Sequence, residues 1–247
     1  MTTSAGASAQ EGDSPFHWQP AADDDAPRPW AVIIPGGGGL AVFHDTDHYY
    51  RWARWLNERG IDVLMIDHVA LAQRPAPEGE VPGDMLARFA AEGLAIARSE
   101  GRMDLRCPGV VMGWSFGGEG TLNLAAGGRV QTPGLVGAIA FYPLVAFQPQ
   151  DYAASVPVLV LQGEADDTTT LTDLEAFVAR AEGSPIAVEV YPVAHHGFDA
   201  QGLVEPVEWN GGTFQYHPQA TADAAARIDR QLADWGMTDG MSGCALD

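Results

Sequence analysis

The feature that most constrains this chain is a glycine-flanked serine, Gly113-x-Ser115-x-Gly117, between an apolar run and a stretch rich in small residues. This is the pattern of a nucleophile elbow, a sharp strand-to-helix turn that holds a serine in a strained backbone conformation. Bulky residues two positions away would clash at such a turn, and glycines remove the clash. The pattern predicts a strand ending near Met112, an exposed serine hydroxyl, and a helix N-terminus aimed at the same point.

The composition is that of one globular domain. The chain has 247 residues, of which 46% are hydrophobic, and this suits a single α/β domain with a sizeable core. No apolar run is long enough to cross a bilayer, and residues 1–13 lack the basic start and apolar region of a secretory signal. The two cysteines, Cys107 and Cys244, do not make a disulfide framework. We therefore predict a reduced, cytoplasmic protein.

The charge of the chain limits its partners. The formal net charge is −20, from 33 acidic and 13 basic residues, and every basic residue is an arginine. A field of this sign repels nucleic acid and anionic membranes, so we expect neither as a partner. The absence of lysine also excludes a P-loop and a Schiff-base mechanism.

Predicted strands alternate with predicted helices along the chain. Apolar runs predict strands at residues 30–34, 61–66, 109–112, 135–141, 156–161 and 186–191, and helical spacing predicts helices at residues 47–59, 82–99, 115–126, 171–181 and 221–235. This alternation favours an α/β fold with a mostly parallel central sheet and helices on both faces. We assign residues 30–236 to this domain. We expect a flexible acidic N-terminal tail at residues 1–29, in which 16–18 could add a short strand, and a C-terminal tail at 237–247.

Three predicted strand ends carry the residue types that activate a serine. Ser115 follows one strand, Asp166-Asp167 follows the strand at 156–161, and His195-His196 follows the strand at 186–191. The carboxyl ends of parallel strands share one edge of a sheet. A serine needs a base to take its proton, histidine can do so near neutral pH, and a carboxylate fixes the histidine tautomer. The order Ser, Asp, His is that of the α/β-hydrolase fold, although each pair taken alone is also typical of an exposed turn.

The run Gly36–Gly39 allows two interpretations. In the first, the backbone N–H groups of Gly37 and Phe116 form an oxyanion hole. In the second, the run begins a G-x-G-x-x-A fingerprint that ends at Ala41, and Asp67 holds a ribose hydroxyl of NAD(P) in an oxidoreductase. The fingerprint requires a helix that starts on the glycines, and residues 43–46 intervene before the predicted helix.

A metal site is a further alternative near the start of that helix. His44 and His48 stand four residues apart with acidic residues between them, but no pattern supplies a third ligand. We interpret both histidines as loop and helix-start residues. The serine constellation needs no metal and no cofactor, and we predict none.

With these motifs in place, residues 30–235 resemble the dienelactone hydrolase family of α/β hydrolases. The likeness is carried by five segments in order: Ile34–Leu40, Gly113–Gly118, Phe141–Pro143, Gly163–Asp167 and Tyr191–Asp199. The resemblance implies a nucleophile at Ser115, an acid at Asp166, a base at His196, and oxyanion donors at Gly37 and Phe116. It also implies a carboxylesterase or lactonase that forms an acyl-enzyme, although a non-catalytic binding protein on the same scaffold remains an alternative.

Two positions depart from the family pattern. Dienelactone hydrolase itself has a cysteine nucleophile at the position where this chain has Ser115. Many relatives carry a histidine where this chain has Pro35. The first departure favours a general ester hydrolase over one that acts on dienelactone.

The lengths of the connecting segments predict a small substrate. Residues 142–155, between two predicted strands, leave no room for a cap domain. We expect Trp114, Tyr142 and Phe43 to contact the substrate, and the loops at 67–81 and 197–218 to wall the site. The second loop offers three candidate lining residues, Trp209, Phe214 and Tyr216. The expected substrates are small or short-acyl esters or lactones; the oligomeric state is not predicted.

Overall fold

A mostly parallel sheet of seven strands organises the computed structural model, which describes residues 14–22, 26–127, 130–238 and 244. The strands are β1 (Phe16–Gln19), β2 (Trp30–Ile34), β3 (Asp62–Ile66), β4 (Gly109–Trp114), β5 (Leu135–Phe141), β6 (Val158–Gly163) and β7 (Ile186–Tyr191). Their order across the sheet is β1-β3-β2-β4-β5-β6-β7. Only β1 runs antiparallel to its neighbour. The predicted α/β-hydrolase architecture is confirmed.

Helices cover both faces of this sheet. They are α1 (His48–Asn57), α2 (His68–Leu71), α3 (Pro82–Ser99), α4 (Phe116–Ala126), α5 (Leu171–Arg180) and α6 (Pro218–Asp234). One apolar core contains Phe89 of α3 and Phe177 of α5, and the other contains Trp52 of α1 and Ile228 of α6. Alternate residues of β2 point into the two cores, which explains its continuous apolar sequence.

Most predicted elements are present, with shifted ends. The strands β5 and β7 and the helix α3 have the predicted bounds, whereas β6 begins at Val158 and α6 begins at Pro218. Two features are absent from the sequence-based prediction: the short helix α2, and a hairpin of β8 (Val207–Trp209) and β9 (Gly212–Phe214). Both lie in segments that we expected to be loops.

Residues on both sides of the 30–236 region contact it. Strand β1 pairs with β3 along Phe16–Gln19, so the sheet includes residues that the 1–29 tail would leave outside it. Residues 1–13 of that tail lie outside the described residues. Cys107 and Cys244 are joined by a disulfide, a pairing that we did not predict. Spacing could not show this pairing, because 137 residues separate the two. The disulfide also removes the ground on which we predicted a reducing compartment.

No cap domain stands over the sheet between β5 and β6. The connecting residues 142–157 are all described and contain no helix or strand. In the described part of the chain, no helix is long and apolar enough to span a membrane. The carboxyl edge of the sheet is bordered by the loops that follow the strands and by the β8–β9 hairpin.

Candidate active site

Ser115 sits at a sharp turn between β4 and α4. Its backbone has φ +51° and ψ −115°, a conformation that is strained for a residue with a side chain. A Cβ at Gly113 would collide with the Gly117 carbonyl, and a Cβ at Gly117 would collide with the Ile34 carbonyl. The two glycines therefore permit the turn, which presents the Ser115 hydroxyl in front of the N-terminus of α4.

A hydrogen-bonded chain links Ser115 to two side chains from other strand ends. His196 Nε2 lies 2.9 Å from Ser115 Oγ, and His196 Nδ1 lies 2.8 Å from Asp166 Oδ2. His196 and Asp166 are both buried. An Nδ1–H that donates to the carboxylate leaves Nε2 free to accept the serine proton. The structure thus brings together the three residues that the sequence assigned to nucleophile, acid and base.

The two adjacent aspartates have different surroundings. Asp166 accepts the N–H groups of Thr168 and Thr169 on Oδ1, which directs Oδ2 at His196. Asp167 is exposed and accepts the Thr213 N–H of the β9 strand at 2.7 Å. That hydrogen bond lowers the pKa of Asp167 below its ordinary value. Asp167 therefore connects the β8–β9 hairpin to the acid loop, and its hydrogen bonds to described residues go to Thr213 and not to His196.

Sequence analysis missed two residues that support this acid. Thr169 Oγ1 lies 3.0 Å from Asp166 Oδ2 and 3.2 Å from His196 Nδ1. Gln162 Nε2 donates to Asp166 Oδ2 at 3.2 Å and to the Thr169 carbonyl at 2.8 Å. Threonines after an aspartate are a recognisable turn signal, but the role of Gln162 depends on β6 register and has no local signature.

The loop at residues 36–39 is fixed by a hydrogen bond on each side of Gly36. Its N–H donates to the Tyr49 hydroxyl at 2.8 Å, and its carbonyl accepts from His68 Nε2 at 2.9 Å. Burial lowers the pKa of His68, which keeps this imidazole neutral. The next residue, Gly37, lies beside Phe116, at ordinary contact distance for an added Cβ. Their N–H groups have no acceptor within the described residues, as donors held for a developing oxyanion require.

A buried carboxylate holds the aromatic side chains beneath the site. Asp199 accepts hydrogen bonds from Trp52 Nε1 and Trp114 Nε1, each at 2.8 Å, and from the Tyr142 hydroxyl at 2.6 Å. His48 lies 3.6 Å from the same carboxylate, and burial lowers its pKa. Burial first, and the Asp199 charge second, raise the pKa of Tyr142 well above its ordinary value, so its hydroxyl stays a donor. Nothing in the sequence pattern revealed this role for Asp199.

An open cavity of about 670 Å³ lies in front of Ser115. The expected contact residues Phe43, Trp114 and Tyr142 line it, and so do Trp209 and Phe214 of the hairpin. Tyr216, the third candidate of that loop, does not; it packs instead against Leu203 and Phe214. The sequence contained a signal for the hairpin that we did not use, namely Asn210-Gly211 at its turn, both with positive φ.

The two interpretations that required cofactors or metals find no support here. Helix α1 begins at His48, nine residues after Gly39, so no helix starts on the glycine run as a dinucleotide fingerprint requires. His44 Nε2 lies 2.7 Å from the Gly202 carbonyl, and His48 is fully buried. Among the described side chains, no group of three or more His, Cys, Asp or Glu could hold a metal ion.

Comparison with known protein families gives one match. The family model of the dienelactone hydrolases matches residues 90–234, more than half of the chain. The chain belongs to the dienelactone hydrolase family. This membership supports a hydrolase and gives no support to an oxidoreductase. The match covers Ser115, Asp166 and His196, together with the β8–β9 hairpin.

Solved structures share the dienelactone hydrolase fold with this chain at low sequence identity. A candidate dienelactone hydrolase from Klebsiella pneumoniae is 18% identical with a TM-score of 0.66, over 90% of this chain and 98% of the other. Thermogutta terrifontis esterase 2 phosphonylated by cyclosarin is 16% identical with a TM-score of 0.65, over 91% and 90%. A candidate α/β hydrolase from Agrobacterium tumefaciens is 18% identical with a TM-score of 0.62, over 89% and 91%. A comparison with curated protein sequences found no match.

Proposed function

We propose that this protein is a serine carboxylesterase that cleaves small or short-acyl esters or lactones through an acyl-enzyme. The observation that carries the proposal is the chain from Ser115 Oγ through His196 to Asp166, with contacts of 2.9 and 2.8 Å. Family membership and a strained serine at a helix N-terminus support the same chemistry.

The proposed reaction has two balanced halves. His196 Nε2 takes the hydroxyl proton while Ser115 Oγ bonds to the carbonyl carbon, and the Gly37 and Phe116 N–H groups stabilise the oxyanion. Collapse breaks the bond to the alcohol oxygen, which receives the proton from His196. Water then attacks the acyl-enzyme by the same route, releasing the acid and restoring the serine proton. Asp166 holds the histidine tautomer and stabilises the imidazolium.

The acid position can be tested against its neighbour. We expect Asp166→Asn to lower kcat by about 10⁴-fold, because an amide can present N–H to His196 and favour the wrong tautomer. Asp167→Asn keeps an oxygen for the Thr213 N–H and should change kcat by less than about threefold. Steady-state kinetics of both variants on one ester make the comparison. If Asp166→Asn kept the wild-type kcat while Asp167→Asn lost most of it, the catalytic acid would be Asp167 and not Asp166.

The open, uncapped site predicts a preference for short acyl chains. With p-nitrophenyl esters of rising chain length, we expect kcat/KM to be highest for the acetate to butyrate esters and to fall with longer chains. The described residues 142–157 form no cap that an interface would have to open, so the rate should show no jump above the substrate's micelle threshold. A preference for long chains, or such a jump, would contradict the proposed substrate class.

A further inference from the structure

Three aromatic side chains form a fixed group at the mouth of the cavity. Phe43, Trp209 and Phe214 all line it, and their rings meet edge to face with centroids 5.1 to 6.3 Å apart. Phe43 is 39% exposed and Trp209 is 54% exposed. Such exposure leaves apolar ring surface available for contact with a ligand.

The segments that carry these rings are held in place by hydrogen bonds. The tight turn around Phe43 is closed by reciprocal backbone hydrogen bonds between Val42 and Asp45, and Phe43 itself has a strained φ of +53°. The hairpin is tied to the acid loop through Thr213 and Asp167, and the Gln215 N–H donates to the His196 carbonyl at 3.1 Å. The rings are therefore positioned before any ligand arrives, which lowers the entropy cost of binding.

The position of the aromatic group relative to His196 determines which part of an ester it contacts. The Phe214 ring centroid lies 4.8 Å from that of His196. In the proposed reaction His196 returns its proton to the alcohol oxygen, so the leaving alcohol must lie on the His196 side of Ser115. Phe43 and Trp209 extend the surface of Phe214 outward from that side.

The cavity also selects by charge. Among the described residues that line it, none is an arginine, aspartate or glutamate, and the chain has a net charge of −20. An anionic group on the substrate would find no cation in the cavity and would be repelled by the whole protein. Neutral aromatic rings have the complementary chemistry, because they add edge-to-face contacts to apolar burial.

We propose that Phe43, Trp209 and Phe214 form a leaving-group subsite for neutral aromatic alcohols, so that the preferred esters carry a benzyl or similar aryl group on the alcohol oxygen. This inference rests on the proposed esterase function and specifies its substrate class.

Acetate esters isolate the effect of the leaving group, because all of them pass through one acetyl-enzyme. The experiment compares kcat/KM for benzyl acetate, cyclohexylmethyl acetate and ethyl acetate; the first two alcohols have similar size. We expect the wild type to favour benzyl over cyclohexylmethyl acetate by about 3- to 10-fold. Trp209→Ala should abolish that preference, because it lowers kcat/KM for benzyl acetate more than kcat/KM for the two other acetates, and Trp209→Phe should retain it. Phe147→Ala removes a 60% exposed ring outside the cavity and serves as the matched control.

Several outcomes would overturn the subsite, and one separates it from the proposed function. If Trp209→Ala lowered kcat/KM equally for all three acetates, the hairpin would only support His196. Methyl phenylacetate, whose ring lies on the acyl side, is a further test substrate. If Trp209→Ala lowered kcat/KM only for this ester, the three aromatic side chains would contact the acyl group and not the leaving alcohol. A wild type that cleaves ethyl acetate without any benzyl preference contradicts the subsite alone. A wild type inactive on every ester contradicts the esterase proposal as well.

Discussion

Ser115→Ala is expected to lower kcat for ester hydrolysis by about 10⁶-fold, to the level supported by oxyanion stabilisation and binding alone. The substitution removes the atom that would bond to the acyl carbon. It leaves the fold intact, because the Ser115 side chain makes no capping hydrogen bond to α4 and its hydroxyl contacts His196. Steady-state kinetics, with thermal unfolding and circular dichroism as structural checks, provide the measurement.

Ser115→Gly is the matched control for this experiment. It is expected to be as inactive as the alanine variant but more stable than it by about 1 kcal/mol, because glycine adopts φ +51° without strain. Activity above one per cent of wild type in either variant would mean that another group attacks the ester.

His196→Ala is expected to cost about as much as loss of the serine, 10⁵- to 10⁶-fold in kcat, because the two side chains act as one unit in the first proton transfer. Without the imidazole, the serine hydroxyl has no base within hydrogen-bond distance among the described residues. The double variant with Ser115→Ala should therefore be no slower than either single variant. This non-additivity, measured as a double-mutant cycle on kcat, distinguishes a shared catalytic role from separate structural damage.

The adjacent histidine supplies the control. His195 is half-buried, does not line the cavity, and its Nδ1 has no hydrogen-bond partner within the described residues. His195→Ala should therefore retain kcat within about threefold of wild type. A severe loss in this variant, with His196→Ala active, would overturn the assignment of the base.

The sequence alone predicted the layers of this fold because its signals are local. Continuous apolar runs marked buried parallel strands, and glycines around Ser115 marked a turn whose geometry needs them. The predicted strands then implied which loops share one edge of the sheet, and on this basis we expected Asp166 and His196 to lie near Ser115. The structure places the three residues within hydrogen-bond distance of one another in sequence from Ser115 to His196 to Asp166.

Long-range polar contacts could not be predicted in the same way. Asp199 lies next to a phenylalanine in a recognisable motif, but its partners Trp52 and Trp114 are 147 and 85 residues away. The contact between Gln162 and Asp166 spans only four residues, but it depends on the β6 register and on the turn that follows β6, and it has no local signature. The disulfide between Cys107 and Cys244 joins two residues 137 positions apart, and sequence spacing does not encode such a contact.

The β8–β9 hairpin is a different case, because its local signal was present in the sequence and was not used. Asn210-Gly211 is a strong turn signal, yet each flanking strand has only three residues. A short hairpin of this kind is stabilised mainly by its contacts with Asp167 and His196 rather than by its own sequence.

Covalent labelling by a fluorophosphonate probe tests the central claim most directly, because only a serine activated by a neighbouring base reacts with it at an appreciable rate. We predict a single adduct on the wild-type protein, mapped by peptide mass spectrometry to Ser115, with loss of esterase activity in proportion to labelling. Ser115→Ala should not be labelled, and His196→Ala should be labelled at least 10³-fold more slowly. An unlabelled wild type that is folded, or an adduct that persists in Ser115→Ala, would contradict the account.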